Sequence, residues 1–139
     1  MILKYFHLKK NKGKSFKKPI LYFGDWGIQA LSNCILTDIH LNLIKKFFNN
    51  NLKKICKIYF RINLNKIKTK KPFDSRMGAG KGEFKNYVSK IKKGDILFEL
   101  NILPNNIIIN YIKLLSYKLP LKIRIIYKYN KKFFNAKNI

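Results

Sequence analysis

The chain has 139 residues; 31 are lysine or arginine against six aspartate or glutamate, the formal charge is +25, and 47% are hydrophobic. That length and apolar share supply one domain with a real core, while so large a positive surplus repels itself unless a polyanion, nucleic acid first, neutralises it. A membrane-spanning helix is excluded: the longest uncharged run, residues 100–112, holds Pro104 and four asparagines and falls well short of roughly 20 apolar residues.

Residues 1–19 read as an extended basic arm, with Lys9, Lys10, Lys12, Lys14, Lys17 and Lys18 around Asn11 and Gly13 and no helical or strand period. Met1-Ile2-Leu3-Lys4 is charged too early for a secretory signal. Residues 20–31 read as a strand broken by Gly24 and Gly27. Thr37 is a good helix N-cap and Asp38 suits the first turn. Ile39, Leu43, Ile44, Phe47, Phe48 and Leu52 then recur at helical spacing, with Asn42, Lys45, Lys46, Asn49 and Lys53 on the other face. Residues 55–62 are strand-like and lead through Lys57 and Arg61 to a basic loop at residues 66–71. A glycine-rich loop follows. Residues 84–91 and 96–100 then suggest a hairpin around Lys92-Lys93-Gly94-Asp95. Pro104 opens a second helix, with Ile108, Tyr111, Ile112 and Leu115 as its buried stripe, and Leu119-Pro120 stops it after Lys118. Residues 121–128 alternate apolar and basic, a half-buried strand. The order β-α-β, loop, β-β-α-β predicts an α+β fold, two helices packed on a mixed or antiparallel sheet. One domain would cover residues 20–128, followed by a basic tail at 129–139.

The loop Lys71-Pro72-Phe73-Asp74-Ser75-Arg76-Met77-Gly78-Ala79-Gly80-Lys81-Gly82 is the stretch richest in chemical information. Glycines let a backbone bend and come close to a partner, and the cations suit phosphate. Lys66, Lys68, Lys70, Lys71, Arg76 and Lys81 are too dense for an unpartnered connection. Nucleotide-binding loops do not fit. A Walker loop would place its first glycine at Ser75 and a hydroxyl at Gly82, and the dinucleotide pattern fails because Gly82 follows Gly80 one residue too soon. Asp25, Asp38, Asp74, Glu83, Asp95 and Glu99 are scattered, and His7 and His40 have no ligand-spaced partners. No enzyme, metal, cofactor or small-molecule substrate is therefore expected. Cys34 and Cys56 read as free, partly buried thiols. The dominance of lysine, isoleucine and asparagine over alanine is what an AT-rich genome writes, which suggests an organelle, a parasite or an endosymbiont. Among so many lysines, Arg61, Arg76 and Arg124 are the only arginines, and Arg76 is the one most in need of a planar, multi-donor fork.

These residues resemble the bacterial-type large-subunit ribosomal protein sixteen family, shared by bacteria and organelles. Its signature is met by Lys71-Pro72, the run from Arg76 to Gly82, Tyr87-Val88, Gly94, Leu97 and Glu99. Upstream, Phe23-Gly24, Gly27, the Thr37 cap and Lys57-Ile58-Tyr59-Phe60-Arg61-Ile62 fall where the family has matching motifs; downstream, Pro104 and Lys118-Leu119-Pro120-Leu121-Lys122 do so. Ala79 stands where lysine or serine is frequent, Tyr87 where tryptophan is usual and Lys93 where proline is usual. The resemblance implies a structural, non-catalytic constituent of the large ribosomal subunit. It would bind rRNA near the peptidyl-transferase centre and the A-site tRNA corridor. Its partners would be large-subunit rRNA, tRNA in the A/P-site region and neighbouring ribosomal proteins. The implied rRNA-binding set is Lys45, Lys46, Lys53, Lys57, Arg61, Lys66, Lys68, Lys70, Lys71, Arg76, Met77, Gly78, Gly80, Lys81 and Gly82. The arm from Lys9 through Lys12-Gly13-Lys14 to Lys18 would reach toward tRNA or rRNA. A mitochondrial ribosome is the first expectation for its location, and a plastid or apicoplast the second. A free-standing RNA-binding factor using the same surface is the alternative function.

Overall fold

The computed structural model describes residue 8 and residues 11–15, 19–52, 55–76, 78, 80–102 and 105–128. Among these residues two helices and seven strands follow in the order β1 (Trp26–Ala30), β2 (Cys34–Thr37), α1 (Asp38–Asn51), β3 (Lys57–Phe60), β4 (Lys66–Lys70), β5 (Glu83–Ile91), β6 (Ile96–Asn101), α2 (Asn106–Lys118) and β7 (Ile123–Tyr127). The fold is α+β, as expected, but its strands form two antiparallel sheets instead of one. One has the order β3-β6-β1-β7, the other β2-β5-β4.

The helices follow their local chemistry. Thr37 caps α1, and the side chain of His40 at the third helical position reaches back, Nδ1 accepting the Thr37 backbone N–H at 3.2 Å. His40 is thus a capping partner, using its ring nitrogen where glutamate or glutamine would normally serve. The buried face of α1 is Leu41, Ile44 and Phe48, with Leu52 after it, whereas Ile39 and Leu43 are exposed. The expected stripe holds at Ile44, Phe48 and Leu52, with Phe47 packed against the core, but the apolar arc of this helix is wide and the buried face is rotated toward Leu41 and away from Ile39 and Leu43. In α2 the expected stripe holds: Ile108, Ile112 and Leu115 are buried, and Leu119 ends the helix. Asn105 is its N-cap; Pro104 lies outside the described residues.

The strands depart further from expectation. The predicted strand at 20–31 is regular only from Trp26, because the N–H groups of Tyr22, Phe23 and Gly24 all donate to Oε2 of Glu99, at 3.0, 2.7 and 2.9 Å. Those donors turn inward to a carboxylate, which bends residues 21–25 out of a ladder. The short β2 went unforeseen. Residues 66–71, expected as loop, contain β4. The hairpin at 92–95 is also overturned. The turn exists, with Asp95 N–H donating to Lys92 O at 3.1 Å, but β5 pairs with β2 and β4 while β6 pairs with β1 and β3. The turn hands the chain from one sheet to the other.

One core joins the layers. Trp26, Ile28, Phe48, Phe98, Leu100, Ile112 and Leu115 are among its fully buried members, and the Phe48 and Phe98 rings meet edge to face at 4.8 Å. Central strand β1 is buried on both faces. Its Gln29 is satisfied there, donating to Gly94 O at 2.6 Å and accepting from Arg124 Nε at 2.7 Å. Arg124 therefore has an internal role. Cys34 and Cys56 are free and half-buried, and burial pushes both thiols up.

Candidate nucleic-acid interface

The residues expected to meet RNA fall into three places. In the first, β4 is an edge strand of the three-stranded sheet, and Lys66, Lys68 and Lys70 alternate with the buried Ile67 and with Thr69. A register shift between Lys68 and Thr69 twists this edge. Lys68 and Lys70 are exposed, and Lys66 and Lys71 are half-exposed. The chain then leaves the sheet as a loop in which Pro72, Phe73, Asp74, Ser75 and Arg76 are all exposed, Phe73 completely. A turn with Ser75 N–H donating to Pro72 O at 3.3 Å shapes its start. Gly78 and Gly80 have φ of 110° and 74°, which residues with a Cβ rarely adopt. Gly82 answers a different need: a Cβ there would lie 2.6 Å from Lys70 C and Lys71 N, so the returning strand can pass β4 only as glycine. Lys81 is exposed; Met77 lies outside the described residues.

The second place is the outer face of α1. Lys45 and Lys46 are exposed there, and Lys45 lines a cavity of about 320 Å³ together with Cys56 and Ile58. This face therefore adjoins β3, the edge strand of the larger sheet, which carries exposed Lys57. Lys53 lies outside the described residues.

The third is the N-terminal segment, where residues 11–15 lie against the domain. Asn11 Nδ2 donates to Cys34 O at 3.0 Å and to Ile91 O, Ser15 N–H donates to Lys93 O at 2.8 Å, and Lys14 pairs with Lys93 as a parallel bridge. Lys12, Gly13 and Lys14 are exposed on this seam. Lys9, Lys10, Lys17 and Lys18 lie outside the described residues, as does the tail at 129–139.

Arg61 also has an internal partner. Its Nη1 forms an ion pair with Oε1 of the fully buried Glu99, and its guanidinium lies 4.8 Å from the centre of the Tyr22 ring. Burial pushes the Glu99 carboxyl up, but the N–H groups of Gly24 and Phe23 and the Arg61 charge outweigh it and hold the carboxyl below its ordinary value. In the sequence Glu99 looks like one more scattered acid at a motif position. The signal was present: a lone carboxylate inside Ile96-Leu97-Phe98-Glu99-Leu100 must find donors when that strand is buried.

Among the described residues no cluster of three or more histidine, cysteine, aspartate or glutamate side chains could hold a metal, and no helix is long and apolar enough to cross a membrane. The geometry offers exposed cations, thin glycine backbone and a bent loop, a set suited to phosphate and to close backbone approach.

Comparison with known proteins agrees in extent as well as in kind. The profile of the family described as ribosomal protein L16p/L10e matches residues 3–126. The large ribosomal subunit protein uL16c of Cyanidium caldarium is 36% identical over 117 residues, 84% of this chain and 84% of that protein. The large ribosomal subunit protein uL16 of Aquifex aeolicus is 37% identical over 115 residues, 83% of this chain and 81% of its own. The uL16c protein of Euglena longa is 36% identical over 123 residues, 88% of this chain and 91% of its own.

Proposed function

This chain belongs to the ribosomal protein L16p/L10e family, a structural and non-enzymatic component of ribosomes, and from that premise we propose how it serves the large subunit. Its partners are rRNA and other ribosomal proteins. We assign rRNA contact to β4 and the glycine loop, through Lys66, Lys68, Lys70, Lys71, Arg76 and Lys81, with Gly78, Gly80 and Gly82 keeping the backbone thin. Lys45, Lys46 and Lys57 form a second phosphate-facing surface. The Arg76–Gly82 loop reaches toward rRNA at the peptidyl-transferase centre, and the arm that includes Lys12-Gly13-Lys14 toward the A-site tRNA. Residues 20–128 act as the rRNA-binding domain, and the flanking residues as basic extensions.

The observation that carries this reading is the exposed loop of residues 71–82. It is cationic and glycine-bent, and its described residues 72–76, 78, 80 and 81 are all exposed, a cost in self-repulsion that phosphate would remove. We place the protein in an organellar ribosome. The relatives named uL16c, the chloroplast-type designation, support a plastid at least as strongly as the lysine- and asparagine-rich composition supports a mitochondrion.

The test is sedimentation of the tagged protein from native lysate through a high-salt gradient, with probes for large-subunit rRNA and tRNA on each fraction. Co-migration with large subunits that survives salt is expected. Release at modest salt would mean that the same surface serves a free RNA-binding factor.

A further inference from the structure

We infer that Tyr22 and Phe23 form a stacking platform for one unpaired nucleobase of rRNA, at the mouth of a cleft between the two sheets. This inference rests on the RNA-binding role proposed above.

Four features meet there. The first is exposure: Tyr22 and Phe23 remain 61% and 59% exposed beside a well-packed core. The second is that each ring already has company. Arg61 lies over Tyr22 at 4.8 Å, and Phe23 stacks on Tyr59 with centroids 5.4 Å apart and planes at 28°. The two rings also meet each other at 6.4 Å with planes at 52°, and at these exposures both keep much of their surface open to solvent. The third is rigidity. Three consecutive backbone N–H groups, those of Tyr22, Phe23 and Gly24, converge on Oε2 of Glu99, the only buried carboxylate among the described residues. Burying a carboxylate to fix a segment that then presents two bare rings makes sense if the rings must be held ready, because a preorganised surface loses little conformational freedom on binding.

The fourth is the neighbouring cleft, of about 490 Å³. It lies where residues 61–65 pass from β3 to β4 and where the chain passes from β5 to β6, and its walls include Tyr22, Arg61, Asn63, Asn65 and Lys90. Amide side chains can read the edge of a base, guanidinium and aromatic planes can stack on its face, and an ammonium suits the phosphate beside it. An apolar protein segment laid here would offer Asn63 and Asn65 no hydrogen-bonding partner, whereas a nucleobase would, so RNA is the better fit. Loop cations hold the backbone of an RNA; this platform would hold a base, a different kind of contact on a different part of the molecule.

The experiment uses the full-length protein and a short single-stranded RNA carrying 2-aminopurine at its centre, with a matched RNA that is abasic at that position. Wild-type protein should quench the 2-aminopurine and bind the base-bearing RNA more tightly. The double variant Tyr22→Leu/Phe23→Leu should lose the quench and weaken binding by about tenfold for the base-bearing RNA alone. Tyr22→Phe should retain both, and Arg76→Ala should lower the affinity for both RNAs alike. Thermal melts establish that the variants fold. Equal affinity for the two RNAs, or an unchanged quench in the double variant, would overturn the platform while salt-sensitive binding upheld the RNA role. Wild-type binding indifferent to salt would overturn the RNA role, and the platform with it.

Discussion

The Glu99 carboxylate takes hydrogen bonds from three backbone N–H groups and from Arg61, entirely out of water. Replacing it with alanine removes the acceptor of all four, leaves the buried Gly24 N–H without a partner and opens a cavity, and Glu99→Ala should cost about 3 kcal/mol, measured by denaturant titration. Glu99→Gln keeps an acceptor and should cost less. The pH dependence has a definite sign. A carboxyl held low in the folded state contributes stability that is complete above its unfolded value, near 4.5, and is lost as pH falls through the lower folded value. The thermal midpoint of the wild type should therefore be steady near neutrality and fall in acid, and Glu99→Gln should flatten part of that fall. Gly82 is vulnerable for steric reasons. A methyl group 2.6 Å from the Lys70–Lys71 backbone forces the two chains apart, so Gly82→Ala should cost about 1–3 kcal/mol in a thermal melt. The need for glycine was readable from the sequence. Which glycine meets a left-handed φ and which a close approach was not, since the neighbour at Gly82 is set by the register of β4 against β5.

At the scale of elements, local signals and long-range pairing separate cleanly. The capped start of α1, the apolar stripe of α2 and its stop at Leu119 are written in adjacent residues, and the structure follows them. Sheet membership is not local. Nothing near Lys92-Lys93-Gly94-Asp95 says that β5 and β6 will part, because the competing partners, β2 and β1, lie far back in the chain. In the sequence β4 looks like loop, because lysine at every second position resembles unstructured charge. On an edge strand the same lysines leave one face apolar at Ile67 and deter pairing with a second chain. Their removal should therefore tax binding and spare the fold. Lys68→Glu/Lys70→Glu should weaken RNA binding by tenfold or more, while stability stays within about 0.5 kcal/mol of wild type.

For the whole molecule, the formal charge of +25 sets the terms of association. Affinity for RNA should fall linearly on a log–log plot against salt, with a slope of about 0.7 to 0.9 per phosphate neutralised. A slope near zero in a filter-binding titration would mean that the charge has another purpose. Composition and the glycine loop disclosed the kind of partner because electrostatics and backbone thinness are properties of residue types. The pairing of Tyr22 and Arg61 with Glu99 is hidden from the sequence, since it joins positions 77 and 38 apart that no local pattern links.

The strand order carries a consequence for synthesis. The three-stranded sheet has all its members once residue 91 has been made, but the four-stranded sheet waits for β6 to enter between β1 and β3 and for β7 to close its far edge. Tyr22 and Phe23 stay unanchored until Glu99, 75 or more residues later in the chain, has been made. For most of its birth, then, the chain is a polycation with its largest sheet unfinished, and such non-local closure is slow. A nascent protein in that condition has reason to meet its RNA early, so that assembly of the particle and completion of the fold become one event.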